Sequence, residues 1–223
     1  MRIVYCIAGT CNSGGMERVL ANKANYLVKH GYEVSIVTTD QRGEKPFFPL
    51  DERIPCYDLG INYEENNGKS FFHKLIHYPF KQYKHKKRLS ALLKRLKADI
   101  VISMFCNDAS FLPSIQDGSR KVLEIHFSRF KRLQYGRKGL WKWADEYRSK
   151  QDVKVASRFD RFVVLTEEDK GYWGDLKNLC VIGNARTFVS SQPASLKDKR
   201  VIAVGRYSYQ RGFDRLISAW GKV

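Results

Sequence analysis

Several features that would classify a chain at sight are missing. No apolar run in the 223 residues approaches the roughly 18 that a membrane-spanning helix needs, and the run from Ile3 to Ala8 is too short for a secretory leader. The chain is therefore expected to be soluble or bound to a membrane surface. Its five cysteines, at positions 6, 11, 56, 106 and 180, include no Cys-x-x-Cys pair and no His/Cys metal spacing, which argues against a zinc module or a disulfide framework. Cys6 and Cys180 fall inside apolar runs and are expected as small buried hydrophobes in a reducing cytosol. There is no Gly-x-Gly-x-x-Gly and no Gly-Lys-Ser/Thr loop, so a nucleotide cofactor clasped in one glycine turn is not expected. Acid is also scarce: from Lys69 to Ala98 there is no Asp or Glu.

What is present begins with Ile3-Val4-Tyr5-Cys6-Ile7-Ala8, which breaks at Gly9 into a polar turn over 10–15. Apolar residues then recur at Val19, Leu20, Ala24, Leu27 and Val28 with helical period, and Gly31 offers a left-handed stop. Residues 33–40 resume as a strand. Strand, glycine loop, helix and strand make a right-handed βαβ unit whose loop lies at the carboxyl edge of a parallel sheet, where ligands bind. Gly14 and Gly15 lack Cβ atoms and let backbone N–H groups approach an anion, to which the helix adds its partial positive charge. A tight turn with a glycine pair and no ligand is the alternative.

Further strands are expected at 54–59, 99–104, 121–125, 161–165 and 179–182, with helices at 69–98, 108–115 and 140–157 and another capped by Thr166. Pro79 is expected to kink or split the second helix. The alternation predicts an α/β fold, a parallel sheet with helices on both faces. His126 follows strand 121–125 on the edge that carries Gly14 and Gly15, and this position, more than residue type, makes it a candidate. Residues 185–199, polar with Pro193, read as a linker between a domain of residues 1–184 and a second strand-helix unit at 200–223. In that unit 200–204 is the strand and 213–220 an amphipathic helix. One such unit cannot bury its own apolar faces.

The formal charge of +17 exceeds what solubility requires and points to an anionic partner. Lys84, Lys86, Lys87 and Arg88 lie in the acid-free run among Phe80, Tyr83 and other aromatics, and a second cluster at 129–143 joins Arg129, Lys131 and Arg132 to Trp141 and Trp143. Like charges at i, i+4 repel along a helix, so an outside anion would compensate; basic amphipathic segments with boundary aromatics suit an anionic membrane surface. A solvated helix face and nucleic acid are the other readings. No recognition-helix, RNP or OB signature accompanies the charge, and nucleic acid is not expected.

Ser13-Gly14-Gly15-Met16-Glu17-Arg18-Val19-Leu20, a strand ending in His126, Val164-Leu165-Thr166, Ile182-Gly183-Asn184 and Val204-Gly205-Arg206…Arg211-Gly212-Phe213-Asp214 resemble, in that order, the landmarks of the GT-B glycosyltransferases of family 4. The resemblance implies two Rossmann-like domains with a cleft between them, this chain holding the N-terminal one. It implies retaining transfer of a sugar from a nucleotide-sugar donor, UDP-linked, to a lipid-linked or saccharide acceptor in bacterial surface polysaccharide synthesis, by a cytoplasmic enzyme peripheral to the inner face of the cell membrane. By the same resemblance Gly14 and Gly15 approach the donor diphosphate, Arg206 and Arg211 neutralise it from the other domain, His126 lies near the transferred sugar, and Glu17 and Asn184 lie toward the acceptor. Arg211 stands where the family usually has lysine; it keeps the charge and adds bidentate capacity. No cofactor and no metal is implied, in keeping with the lack of an Asp-x-Asp site, because arginines and helix dipoles serve the leaving diphosphate. The family's Glu-x7-Glu segment is not reached, so this chain alone is expected to be inactive or nearly so. A non-catalytic carbohydrate- or phosphate-binding module is the alternative function.

Overall fold

The computed structural model describes every residue except 67, 132, 134–137, 187–190, 193, 194, 196, 198–200, 206–211 and 223, and the side chains of 71, 72, 74, 75, 140, 141 and 144 are likewise outside the description. Seven described strands, β1 (Arg2–Cys6), β2 (Glu33–Thr38), β3 (Cys56–Asp58), β4 (Ile100–Ser103), β5 (Arg120–Glu124), β6 (Arg161–Val164) and β7 (Leu179–Val181), form one sheet in the order β3-β2-β1-β4-β5-β6-β7. Every neighbouring pair is parallel. Parallel strands need crossovers that cover both faces, which is why the strands read as near-continuous apolar runs.

Alternation along β1 divides the core. Ile3, Tyr5 and Ile7 meet Leu20, Ala24 and Val28 of α1 (Gly15–Lys29) on one face. Val4 and Cys6 point the other way, toward Leu89, Leu92 and Leu93 of α2 (Phe71–Leu96), Ala156 of α3 (Gly139–Ala156) and Trp173 of α4 (Glu167–Trp173). Helices thus lie on both faces, as the α/β pattern predicts. The chain runs outward from β1 to β3, then returns through α2 to β4 on the other side of β1. The order reverses between β1 and β4, and ligand crevices form at the carboxyl ends of such strands.

Local rules explain the element ends. Gly31, at φ +83°, closes α1 while its amide donates to Val28 O at 3.1 Å. Thr166 Oγ1 accepts from the Asp169 amide at 3.0 Å and starts α4, with Glu167, Glu168 and Asp169 in the favoured first turn.

Four expectations need correction. Pro79 does not split α2, which continues through it. Tyr78 donates to Asn107 Oδ1 at 3.4 Å and Gln82 to Asn107 O at 3.1 Å, so tertiary bonds on both sides of the proline compensate for the helix bond it lacks. The helix expected over 108–115 is only a 3-10 turn, Leu112–Ser114, since Pro113 lies inside so short a segment. Cys180 is half-buried, because β7 is an edge strand. Residues 201–205 form no strand: Val201, Ile202 and Val204 are exposed, and a strand without a ladder partner has nothing to hold it. The chain divides into two compact units, Met1–Thr187 and Phe188–Val223, and the second carries α5 (Phe213–Trp220), which buries no residue.

Candidate functional site

The loop from β1 into α1 emerges at the reversal point. Its start is pinned by Gln41, whose Oε1 accepts from the Thr10 amide at 2.9 Å and the Thr10 hydroxyl at 3.1 Å. Its end is Gly14, an extended N-cap that gives α1 no side-chain cap. Nothing lies within 4 Å of where a Cβ on Gly15 would stand, whereas a Cβ on Gly14 would collide with the Glu17 carboxylate. Glu17 therefore folds back over the helix start, where the dipole favours negative charge.

Two strands away, at the neighbour spacing of about 4.8 Å and so roughly 10 Å from β1, β5 ends in Glu124. Glu124 and His126 share a strand parity and point to the α1 side, whereas Leu123 and Ile125 belong to the opposite core. The His126 side chain is 4% exposed, and neither ring nitrogen has a hydrogen-bond partner among the described residues. Its Nε2 stands 3.6 Å from Glu124 Oε1. The same oxygen takes the Lys23 ammonium from α1. Burial works to raise the Glu124 carboxyl, but His126 and Lys23 outweigh it and hold it below its ordinary value. Burial and then the Glu124 charge push the nearby Tyr5 phenol well above its ordinary value.

Between these strands β4 delivers Phe105, a half-buried aromatic at φ +54°, in the left-handed region that bulky residues avoid. Its ring meets Phe127 at 5.4 Å and Trp173 at 6.2 Å. Lys131 Nζ sits 3.7 Å from the Phe127 ring centre. Burial pushes the Cys106 thiol up to about 12, with the Asp108, Lys131 and Glu17 charges all acting on it. The loops after β1, β4 and β5 therefore converge on one edge. A depression of about 440 Å³ between α4 and β7, lined by Glu167, Lys170, Asp175 and Lys177 among others, shares no residue with that edge.

Sequence reasoning located Gly14, Gly15, Glu17 and His126 at this edge but missed Lys23 and Glu124. An acid inside a strand covered on both faces was the available signal, since a buried charge must be paired. Asn184 is exposed just past β7, four strands from β1 and so roughly 19 Å away by strand spacing. Arg206, Arg211 and Arg132 lie outside the described residues, as does the Trp141 side chain. Trp143 is exposed and stacks on Tyr147 at 5.8 Å. Of the basic run on α2, Lys84 donates to Gly60 O at 3.3 Å and Arg88 to the carbonyls of Leu59 and Gly60. Those carbonyls belong to a loop that turns through positive φ at Gly60 and Asn62, so Lys84 and Arg88 have internal hydrogen-bond acceptors that carry no charge. Lys86 and Lys87 are exposed, with no ion pair or hydrogen bond among the described residues. No helix among the described residues is long and apolar enough to cross a membrane.

Against known families, residues 13–185 match the model of Glycosyltransferase Family 4. The chain belongs to that family. This family 4 chain is 29% identical over 226 residues to an uncharacterized glycosyltransferase of Haemophilus influenzae, covering 98% of the chain and 57% of that protein. It is 24% identical over 233 residues to the amylovoran biosynthesis glycosyltransferase AmsD of Erwinia amylovora, covering 100% of the chain and 58% of that protein. The chain thus spans somewhat over half the length of both relatives. Among solved structures, TarM superposes with a TM-score of 0.62 at 13% identity, over 97% of this chain and 68% of TarM. Sucrose-phosphate synthase from Thermosynechococcus elongatus gives 0.57 at 12% identity, over 77% and 44%. At such identities the shared fold is what is established, and it fits the N-terminal domain of a GT-B glycosyltransferase.

Proposed function

We propose that this chain is the acceptor-side domain of a glycosyltransferase that moves a sugar, with retention and without a metal, from a UDP-linked donor to a lipid-linked or saccharide acceptor. His126 carries the reading: a buried imidazole next to the reversal point, on the edge where α1 begins without a cap, with Nδ1 unpartnered among the described residues as the nitrogen that would meet a sugar hydroxyl. The acceptor hydroxyl oxygen bonds the anomeric carbon and gives up its proton to the departing diphosphate as the bond from that carbon to the diphosphate oxygen breaks, while Gly14, Gly15 and the α1 dipole take up the charge developing on the leaving group. Glu17 swings off the helix start as the diphosphate arrives, because two anions at one terminus repel. A relative named for amylovoran biosynthesis supports a polysaccharide-type acceptor.

UDP release from a panel of UDP-sugars over bacterial inner-membrane lipids tests this, using the chain and the chain extended by a second family 4 domain. The extended form is expected to turn over at least one donor, and His126→Ala to lower kcat by about 100-fold or more at unchanged circular dichroism. No turnover of any nucleotide-sugar by either form would end the reading.

The acceptor would lie at the anionic inner face of the membrane, where Lys86, Lys87, Phe80 and Tyr83 on α2 and Trp143 on α3 offer exposed cations and rings. Each surface cation contributes about 1 kcal/mol toward anionic lipid, so Lys86→Glu with Lys87→Glu should weaken cosedimentation with phosphatidylglycerol vesicles at least about tenfold. Binding unchanged by this charge reversal would remove α2 from the membrane contact.

A further inference from the structure

The carboxyl edge of β5 contains an arrangement that the glycosyltransfer reading does not use. Glu124 is 5% exposed at the side chain and receives the Lys23 ammonium from α1 and, 3.6 Å away on the same oxygen, faces Nε2 of His126. Closing that gap to the usual ~2.9 Å of a hydrogen bond takes only a small ring movement. Nδ1 is buried and also without a partner among the described residues.

We propose that Glu124, anchored by Lys23, is a positioning residue for His126: its carboxylate receives the Nε2–H proton, fixes the imidazole in that tautomer, and leaves Nδ1 as the acceptor presented to a ligand hydroxyl. Three observations support this. The imidazole has no other polar partner in a buried setting, so without Glu124 nothing would select between its tautomers. The carboxylate stays ionised in its buried place because Lys23 and His126 hold it so, which makes it an acceptor and never a donor. The anchor also sits on the helix that carries the glycine pair. Lys23 follows Gly15 by eight residues, roughly 12 Å along α1, so one ion pair ties the axial position of the helix start to the strand bearing the histidine. Glu124 faces Lys23 from α1, Tyr5 from β1 and His126 from its own strand end.

The ligand-facing role of Nδ1 rests on the glycosyltransferase reading; the tautomer and its cause do not. Long-range ¹H–¹⁵N spectra of the imidazoles, with His126 assigned through His126→Gln, read the tautomer directly on the chain without donor or acceptor. The parent is expected to show a single Nε2–H form. Glu124→Gln should give mixed tautomers, because the carboxylate that accepts the Nε2 proton is gone. Lys23→Met should retain the Nε2–H form, because the carboxylate remains. A change in one variant and not in the other, when both break the same ion pair, is not what simple loosening of the fold would give. A single Nε2–H form in Glu124→Gln as in the parent would overturn the proposal, and if that variant does not fold, a parent with Nδ1–H or mixed tautomers does so alone. A chain that transfers no sugar would sink the functional reading and leave this test intact.

Discussion

Glu124 and Asp108 are both buried near the carboxyl edge of the sheet, one on the α1 side and one on the α2 side, and the protein treats them oppositely. Glu124 has a cation and an imidazole, and its carboxyl is held below the ordinary value. Asp108, which acts on Cys6 and Tyr63 of the α2-side core, has one oxygen without a hydrogen-bond partner among the described residues. Burial pushes its carboxyl up to about 6, despite the nearby Ser103 hydroxyl and its own amide. His85 of α2 shares that second setting: burial lowers it to about 4, and its Nδ1 meets the Tyr63 hydroxyl at 3.1 Å. Glu124 therefore keeps its charge in place, whereas Asp108 and His85 are held toward their neutral forms. A fixed buried charge is useful beside a reacting group; a neutralised one is what a packing core tolerates.

The sharpest way to break this contrast is to remove the cation from the charged side. Lys23→Met leaves Glu124 buried and uncompensated and is expected to destabilise the fold by about 3 to 5 kcal/mol in urea titration. Adding Glu124→Leu should recover most of that loss, since an apolar pair can replace a buried ion pair at little cost. Recovery in the double variant would assign the pair to function more than to stability. A double variant as unstable as the single one would mean that packing around Lys23, and not its charge, holds α1.

The fold was legible from alternation: apolar runs at even intervals, glycine and threonine at helix ends, and a histidine past a strand end place β1, α1, β5 and His126 correctly. The ion pair was not, because Lys23 and Glu124 are 101 residues apart and only the strand order brings them together. Glu124 stands inside the strand expected at 121–125, where an acid demands a partner. In the acid-free run of α2 the repelling row of cations points to an outside anion, and no pattern in the run announces the uncharged backbone carbonyls of Leu59 and Gly60 that hold Lys84 and Arg88 in place. Charge counting is blind to such acceptors. Phe105 carried no signal at all, since no local pattern announces a phenylalanine at positive φ.

On the neutral side the test is pH. Asp108 has a folded value near 6 against 3.8 ordinarily, so its neutral form is favoured by folding; that stability is full below about pH 3.8 and is lost as pH rises through about 6. His85, near 4 against 6.5, works in reverse: folding holds it neutral, so stability is full above about pH 6.5 and is lost as pH falls toward 4. Each gap is worth about 3 kcal/mol, and between pH 4 and 6.5 the two slopes oppose and largely cancel. Asp108→Asn removes one of them. Its urea midpoint is expected to climb with pH from 4 to 6.5, as His85 alone dictates, and at pH 8 to exceed the parent's by up to about 3 kcal/mol in stability, because the parent then holds an ionised carboxylate with an unpartnered oxygen. Parallel profiles for parent and variant would show that Asp108 is solvated at neutral pH, and Asp108 and Glu124 would then not differ as their surroundings imply.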